Sequence, residues 1–258
     1  LFNDNFSQII ETKKNVVIDD LLGISSEESL FHLINHCKLH DLKIYFTSSR
    51  NTDRKSYGWN DEPFLDIYSS TINEKGSFLE PNLLEDLNSK FHEGILSFSA
   101  DGNTIYFTRE SFYEKEFEKS EENKNKYGQS YIYMATKLKD KFNIIESLDI
   151  NDPSFSNKNP MVSPDGKHLY FSSNRPGGFG MYDIYRANIN DDGTLSDVEN
   201  LGQNVNSEGQ EGFPFLSNDN VLYFSSDGHL GIGGLDVFYS RYIDGKWSNV
   251  RNVGIPVN

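Results

Sequence analysis

Short runs of alternating apolar and polar residues, separated by turn residues, recur along the chain. In the stretch 163–185 the dipeptide Asp165-Gly166 stands between two apolar runs. Asp-Gly at that place predicts a two-residue hairpin turn with positive φ at both residues. A glycine-rich loop at 176–180 then leads to a further strand that begins at Asp183. This pattern predicts β-strands, and helical periodicity is not sustained anywhere.

The same strand–turn–strand unit occurs four times. Each copy has a Tyr-Phe pair in its second strand, and successive pairs are 61, 64 and 53 residues apart. An inner strand precedes each pair, and third and fourth strands follow it. Four-stranded units repeated at such intervals are typical of β-propeller blades, with the additional length in loops. The sequence therefore predicts an all-β fold, a β-propeller of four-stranded antiparallel blades.

We expect one propeller domain over residues 1–258. Its blade units span 15–84, 85–148, 149–201 and 202–258. Both ends are out of phase with a whole number of units, so the ring can contain more blades than these four. The charged segment 110–126 lies within the second unit and is predicted to be a solvated insertion.

Composition narrows the classes of function. Of the 258 residues 36% are hydrophobic, and the net charge is −15. An acidic surface repels phosphate backbones and anionic lipids, so we expect no nucleic acid and no membrane surface as a partner. No run of about 18 apolar residues occurs, so direct membrane insertion is not expected. Cys37 is the single cysteine, which excludes an internal disulfide framework.

Several motifs resemble the WD-like β-propeller repeats of the TolB type. The segment 160–166, Pro-Met-Val-Ser-Pro-Asp-Gly, matches the core of that repeat, and 98–102 matches it as Phe-Ser-Ala-Asp-Gly. The longer segments 88–94, 172–185 and 224–236 look like the propeller of cell-envelope proteins, which often precedes an OmpA-type peptidoglycan-binding domain. That family includes the PorE-type component of the type IX secretion and gliding machinery.

The resemblance implies a protein of the Gram-negative cell envelope, either periplasmic or associated with the outer membrane. It further implies binding to other envelope proteins in a multi-protein complex, without a cofactor. An OmpA-type domain is not among the 258 residues, so peptidoglycan binding is not implied. Two units depart from the repeat pattern, because residues 36–41 replace the Asp-Gly turn in the first and Tyr131 replaces the usual Asp in the second.

Two groups of residues are candidates for metal sites. The glycine-rich loops that end in Asp183 and Asp236 are similar to calcium-binding Gly-Asp repeats, but those need consecutive turns, and these copies are 53 residues apart. We favour the interpretation that each aspartate accepts N–H bonds from its own loop, with calcium as the weaker alternative. His32, His36 and His40 would share one face of a helix, but the repeat places them in strand and turn, so no transition metal is expected.

Sequence motifs for catalysis are missing. No Gly-x-Ser-x-Gly elbow occurs, as the propeller-bearing peptidases would require. We therefore predict that the protein is not an enzyme. The alternative is a glycan-binding or glycan-hydrolysing propeller, which two facing carboxylates about 5 to 9 Å apart beside aromatic rings would favour.

The predicted binding surface is the loop face of the propeller. Loops between second and third strands, and linkers between blades, emerge on this face and are long, and binding residues concentrate on such loops. The candidate binding residues, chosen because arginine and aromatic residues are common interface anchors, are Arg50, Trp59, Arg109, Phe112, Tyr113, Arg175, Phe179 and His229. The competing interpretation is that Arg50 and Arg175 only brace neighbouring acidic loops, such as those of Glu93 and Glu211. The sequence thus predicts a non-catalytic protein-binding scaffold of the envelope.

Overall fold

The structure is a computed structural model that describes residues 43–56, 61–71, 78–120, 125–139 and 141–258. The chain forms two compact units, with the boundary between Gly94 and Ile95. The predictions for the strand at 31–34, for His32, His36 and His40, and for Trp59 lie outside the described residues.

The first unit contains a small antiparallel sheet, which we call blade 1. Its described strands are β1 (Lys43–Ser48), β2 (Asp66–Thr71) and β3 (Asn82–Leu83), paired in the order β1-β2-β3. Ile44 and Phe46 are both buried, because alternate side chains of a strand lie on the same face.

Blade 2 contains four long strands and an insertion. In chain order its strands are β4 (Glu93–Phe98), β5 (Thr104–Glu110), the short β6 (Glu118–Lys119) and β7 (Lys126–Tyr127), β8 (Ser130–Leu138) and β9 (Lys141–Ser147). The sheet order is β4-β5-β8-β9, whereas β6 and β7 pair with each other. A 3-10 helix, Ser111–Glu114, follows β5. The insertion therefore forms short ordered elements between the second and third strands of the blade.

Blades 3 and 4 complete the described fold. Blade 3 is β10 (Asn157–Val162), β11 (His168–Ser173), β12 (Asp183–Ile189) and β13 (Leu195–Asn200). Blade 4 is β14 (Glu211–Leu216), β15 (Val221–Ser226), β16 (Asp236–Ile243), β17 (Lys246–Trp247) and β18 (Arg251–Asn252), and both short strands pair with β16. Antiparallel sheets with strands in up-and-down order are the blades of a β-propeller. The predicted all-β propeller fold is confirmed.

All four blades share one register between their second and third strands. In blade 1 these are β1 and β2, because the predicted first strand at 31–34 lies outside the described residues. The phenylalanine of each Tyr-Phe pair lies opposite an aromatic residue of the third strand, giving the pairs Phe46–Tyr68, Phe107–Tyr133, Phe171–Tyr185 and Phe224–Phe238. The ring centroids of these pairs are 5.9, 5.9, 6.0 and 6.2 Å apart. The Tyr-Phe pairs therefore occupy equivalent positions in the four sheets, as the repeat predicts.

The hydrophobic core of the second unit lies between neighbouring sheets. Ile184 of blade 3 belongs to one cluster with Leu222 and Phe224 of blade 4. Ile132 of blade 2 belongs to another with Leu169 of blade 3. All five side chains are fully buried. Each such side chain stabilises the fold by roughly 1.5–3 kcal/mol through burial.

The first-to-second hairpin of blade 3 differs from the predicted turn. Gly166 has a φ of +75°, as expected, but the φ of Asp165 is not positive. The Gly166 N–H donates to the Ser163 carbonyl at 2.9 Å, so the turn spans four residues and ends on the left-handed glycine. The Ser163 hydroxyl donates to the Asp165 carboxylate at 2.6 Å and fixes this geometry. The prediction of a two-residue turn with positive φ at both residues is therefore wrong.

Candidate functional site at the loop end of the blades

Each sheet has long connections at one end. The segments between second and third strands are 49–65, 111–129, 174–182 and 227–235. The segments between first and second strands are only 99–103, 163–167 and 217–220. Because successive antiparallel strands alternate in direction, the long loops and the linkers between blades leave each sheet at the same end. We call this the loop end.

A buried aspartate holds the glycine-rich loops of blades 3 and 4. The Asp183 carboxylate accepts the N–H of Phe179 at 2.6 Å and that of the following glycine at 3.1 Å. Asp236 accepts the N–H of Ile232 and of the glycine after it in the same way. Asp183 and Asp236 are only 1% and 4% exposed. Both carboxylates therefore accept hydrogen bonds from the N–H groups of their own loops, which is the arrangement favoured in the sequence analysis over a calcium site.

Glycine is needed where these carboxylates pack on the loop backbone. A Cβ at Gly178 would overlap the Asp183 carboxylate, and a Cβ at Gly231 would overlap that of Asp236. Within the described ranges, no three His, Cys, Asp or Glu side chains are grouped so that they could hold a metal ion. The glycine-rich sequence is thus explained by the close approach of loop and carboxylate.

An asparagine holds the third strand in every blade, and sequence reasoning missed it. Its amide oxygen accepts the N–H of one strand residue, and its amide nitrogen donates to the carbonyl of that same residue, at distances of 2.7 to 3.1 Å. The pairs are Asn88 with Ile67, Asn151 with Ile132, Asn206 with Ile184, and Asn258 with Val237. Each asparagine follows its partner in the chain by 19 to 22 residues. This regular spacing is the sequence signal that could have indicated the role of the asparagines.

Four of the predicted binding residues cover the aromatic pair of their own blade. They are Arg50, Arg109, Arg175 and, in blade 4, His229. The guanidinium carbons lie 5.0 to 5.3 Å from the two ring centroids of the pair. The His229 ring lies 6.1 and 5.2 Å from the two rings of blade 4. A cation over a ring stabilises by about 0.5–1 kcal/mol or more. The three arginines therefore stabilise the blades from which they extend, and the His229 ring packs at the same place in blade 4.

The arginines differ in accessibility. Arg109 is 1% exposed, and the Tyr113 ring covers it at 4.3 Å. Arg175 is half-buried and donates to the Asn157 amide oxygen at 2.9 Å. Burial lowers the pKa of the Arg175 guanidinium. Arg50 is exposed, so it offers the most accessible guanidinium of the three.

The carboxylates proposed as bracing partners lie beside other basic residues. Arg54 forms ion pairs with Asp66 at 2.9 Å and with Glu93 at 3.6 Å. Burial raises the pKa of Asp66, against the opposing effects of the Asn51 hydrogen bond and Arg54. Glu211 lies 3.9 Å from the ring of His229. Asp66 and Glu93 are 1% and 0% exposed, so this carboxylate pair is closed to a sugar substrate.

The insertion of blade 2 supplies carboxylates to the third strand. The Tyr131 hydroxyl, at the position held by aspartate in the other blades, donates to Glu116 at 2.5 Å. The Tyr133 hydroxyl donates to Glu114 at 3.2 Å. Burial and then these neighbouring carboxylates raise the pKa of both tyrosines. The first half of the insertion is thus fixed to the blade.

A cleft of about 450 Å³ opens beside the same insertion. It is lined by Ser111, Lys115, Glu116, Phe117, Glu118, Tyr127, Gln129, Asp152, Pro153 and Ser154. Carboxylates stand beside aromatic rings here, and Tyr127 is 53% exposed. The cleft thus contains both kinds of side chain that the glycan alternative requires, carboxylates and aromatic rings.

The predicted aromatic binding residues also differ in exposure. Phe112 stacks on Phe117 with ring centroids 5.7 Å apart. Tyr113 is 42% exposed although one face covers Arg109. Phe179 is 48% exposed at the tip of the blade 3 loop. Phe179 therefore presents the most open apolar surface of these three.

Comparisons with known proteins find similar chains among solved structures only. No family model and no curated protein matches the chain. Among solved structures, a putative TolB from Agrobacterium tumefaciens is 18% identical with a TM-score of 0.48, covering 83% of this chain and 61% of that one. TolB from Acinetobacter baumannii is 17% identical with a TM-score of 0.45, covering 81% and 42%. The chain therefore spans 61% and 42% of the length of these two TolB chains. The likeness to PorE-type and OmpA-associated proteins rests on the sequence motifs.

Hydrolases are among the similar structures as well. A puromycin-hydrolyzing peptidase from Mycobacterium tuberculosis is 11% identical with a TM-score of 0.45, covering 83% of this chain and 37% of that one. Prolyl endopeptidases are also found. The prediction that the protein is not an enzyme is therefore wrong as an inference from fold and motifs, because this fold also occurs in hydrolases.

In the part of the chain that the structure describes, no helix is long and apolar enough to cross a membrane.

Proposed function

We propose that this protein is a protein-binding β-propeller of the Gram-negative cell envelope, with its docking surface at the loop end of the blades. The observation that carries the proposal is the contrast between the two ends of each sheet. Loops of up to 19 residues, such as 111–129, stand at one end, whereas turns of four or five residues stand at the other. Loops held by a rigid scaffold are where binding residues concentrate.

The proposed location is periplasmic or associated with the outer membrane, and the proposed partners are other envelope proteins in a complex. The TolB-type motifs at 98–102 and 160–166 support this location. The net charge of −15 supports protein partners over nucleic acid and anionic lipid. The motifs at 88–94 and 224–236 support a finer proposal, a role in secretion or gliding machinery of the PorE type.

The test is capture of partners from envelope extract of the source bacterium by two variants. In the first, a short Gly-Ser turn replaces residues 119–126, which leaves Arg109, Tyr113 and Glu116 in place. In the second, Leu138→Ser is combined with Ile243→Ser, at exposed positions on third-to-fourth hairpins, the end opposite to the loops. We expect the first variant to lose captured proteins and the second to retain them, with unchanged thermal midpoints for both. Identical capture by both variants would remove the support for docking on this loop.

A second candidate function is glycan binding in the cleft of blade 2. It is favoured by the exposed Tyr127 ring beside Glu118 and Asp152. Aromatic rings stack on sugars, and carboxylates accept their hydroxyl hydrogens. Calorimetric titration with chitin and cellulose oligosaccharides should show binding that Tyr127→Ala weakens at least tenfold. Release of reducing ends, lost in Glu118→Gln, would add hydrolysis, and no heat with either sugar would exclude both as ligands.

A further inference from the structure

Five large apolar side chains on two neighbouring loops of the second unit are exposed. Phe179 and Met181 lie on the blade 3 loop, with exposed fractions of 48% and 63%. Leu230, Ile232 and Leu235 lie on the blade 4 loop, with exposed fractions of 96%, 64% and 59%. Apolar side chains gathered in this way on a soluble surface mark interaction sites. We call these five residues the apolar loop patch.

The two loops form one connected surface through the linker 207–210. The Met181 N–H donates to the Gly209 carbonyl at 2.8 Å, which ties the blade 3 loop to the linker. A Cβ at Gly209 would lie 2.6 Å from the Cα of Gly228, which shows how closely the linker packs on the blade 4 loop. The Gln210 N–H donates to the Asp227 carboxylate at 2.7 Å. The apolar side chains of both loops are therefore available to one partner.

The backbone of the patch is fixed before any partner arrives. Phe179 and Ile232 occupy equivalent positions, four residues before Asp183 and Asp236, and each gives its N–H to that buried carboxylate. Because the loop conformation is already set by these bonds, binding costs little ordering of the backbone. A purely structural loop of this kind has no need for large apolar side chains at its exposed positions.

The charge around the patch selects the partner. In the segments 174–183, 207–210 and 227–236, the exposed charged side chains are Glu208 and Asp227, whereas the Arg175 guanidinium is half-buried over the aromatic pair of blade 3. The whole chain has a net charge of −15, so a second copy of it, or an anionic lipid surface, would be repelled. A positively charged protein segment is complementary to this rim, and its apolar side chains would cover the patch.

We propose that the apolar loop patch binds a protein segment whose large apolar side chains are flanked by Lys or Arg. This inference rests on the proposed protein-binding function and assigns it a surface and a class of partner. Phe179 and Ile232, presented by the two equivalent aspartate-held loops, are the central contacts.

The experiment titrates the full chain calorimetrically with three synthetic 12-residue peptides, which alternate leucine with lysine, leucine with glutamate, and serine with lysine. The patch variant combines Phe179→Ser with Ile232→Ser. The matched control is Leu138→Ser with Ile243→Ser, whose wild-type side chains are 56% and 54% exposed at the other end of the sheets. Thermal midpoints of both variants should equal that of the wild type, because exposed substitutions change stability by less than about 0.5 kcal/mol.

We expect the leucine–lysine peptide to bind the wild type and the control alike, and the patch variant at least tenfold more weakly. The leucine–glutamate and serine–lysine peptides should bind the wild type at least tenfold more weakly than the leucine–lysine peptide. Equal loss in both variants, or equal binding of the lysine and glutamate peptides, would overturn the proposal. So would a wild-type dimer in sedimentation that becomes monomeric in the patch variant, because a second copy would then be the occupant. Capture from envelope extract separates this proposal from the proposed function. If the patch variant still captures the envelope proteins that the variant shortened at 119–126 loses, binding by the patch is refuted, whereas the protein-binding function stands.

Discussion

The asparagine that holds the third strand of each blade can be tested most directly in blade 3. Asn206 is 2% exposed. Its amide oxygen accepts the Ile184 N–H at 2.8 Å, and its amide nitrogen donates to the Ile184 carbonyl at 3.1 Å and to the Asn200 amide oxygen at 2.8 Å. Asn206→Ala removes all three hydrogen bonds and adds no new group.

The three lost bonds do not cost the same. The Ile184 carbonyl keeps the N–H of Leu201 at 3.1 Å, and the Asn200 oxygen keeps the N–H of Gly202 at 2.8 Å. The Ile184 N–H loses the acceptor that Asn206 supplies, in a residue that is 0% exposed. A buried unsatisfied N–H costs about 1–3 kcal/mol, and each of the other bonds about 0.5–1.5 kcal/mol. Because the two other acceptors keep a second donor, their losses should be at the lower end, and we expect a total loss of about 3 kcal/mol. For a protein of this size the thermal midpoint should fall by about 6–12 °C.

Thermal and urea unfolding of Asn206→Ala should be compared with Asn190→Ala, whose amide donates to Thr194 on the surface. The control should stay within about 0.5 kcal/mol of the wild type. Asn206→Asp keeps the acceptor but places a carboxylate oxygen opposite two other acceptors, which raises the folded-state pKa of the new carboxyl. Its deficit should therefore be largest at neutral pH and shrink as the pH falls through that pKa, when the carboxyl becomes a donor. Equal midpoints for Asn206→Ala and Asn190→Ala would show that the asparagine does not hold the strand.

Two further substitutions test the turn of blade 3 and its inner strand. Gly166→Val should lower stability by about 2 kcal/mol, because φ is +75° and a Cβ there would lie 3.0 Å from the Cβ of Ala100. Gly166→Asn adds the same Cβ but should cost less, since Asn220 has a φ of +59° at the equivalent place in blade 4. Equal midpoints for the two variants would contradict the turn assignment. Lys158 lies 3.6 Å from the Tyr182 ring, and burial lowers its pKa from 10.5, so its charged form disfavours the folded state below that pH. Lys158→Met removes the cost of burying the charge but also the contact with the Tyr182 ring, so the test is the pH dependence. The midpoint of the variant relative to the wild type should be higher at pH 7 than near pH 10.5, and a difference that does not change with pH would refute this reasoning.

The fold could be predicted because each blade repeats the same local rules. The Tyr-Phe pairs and the polar breaks specify short strands in all four units, and the Asp-Gly turns agree with them in blades 2 and 3. The equivalent positions of the Tyr-Phe pairs follow from the repeat, because alternation leaves one choice of register once one face of a strand is buried. The type of turn predicted for blade 3 was wrong, since Asp-Gly is compatible with more than one type of turn. The hydrogen bond from the Ser163 hydroxyl to Asp165 favours the type that is observed.

The candidate binding site was less predictable, because the sequence does not show which polar side chains other residues cover and which remain exposed to solvent. Arg109 lies within β5 and is 1% exposed, whereas Arg50 lies two residues after β1 and is open to solvent. The difference arises from Tyr113 in the insertion, which no local pattern connects to Arg109. The strand-holding asparagines were missed for another reason: asparagine is common in loops, and only its regular distance from the third strand distinguishes these four.

Blade 2 shows how the frame and the loop end can vary independently. Its second and third strands keep the common register, and Asn151 holds Ile132 as in the other blades. At the loop end, however, Tyr131 replaces the aspartate, and a carboxylate from the insertion, Glu116, binds it. Aspartate holds a short glycine-rich loop in blades 3 and 4, whereas here the strand end is bound by the loop itself. Because the asparagine and the register do not depend on what the loop contains, each blade can carry a different loop on the same frame. Differences in partner or ligand among such blades should therefore be sought in the loops, and differences in stability in the strands and their asparagines.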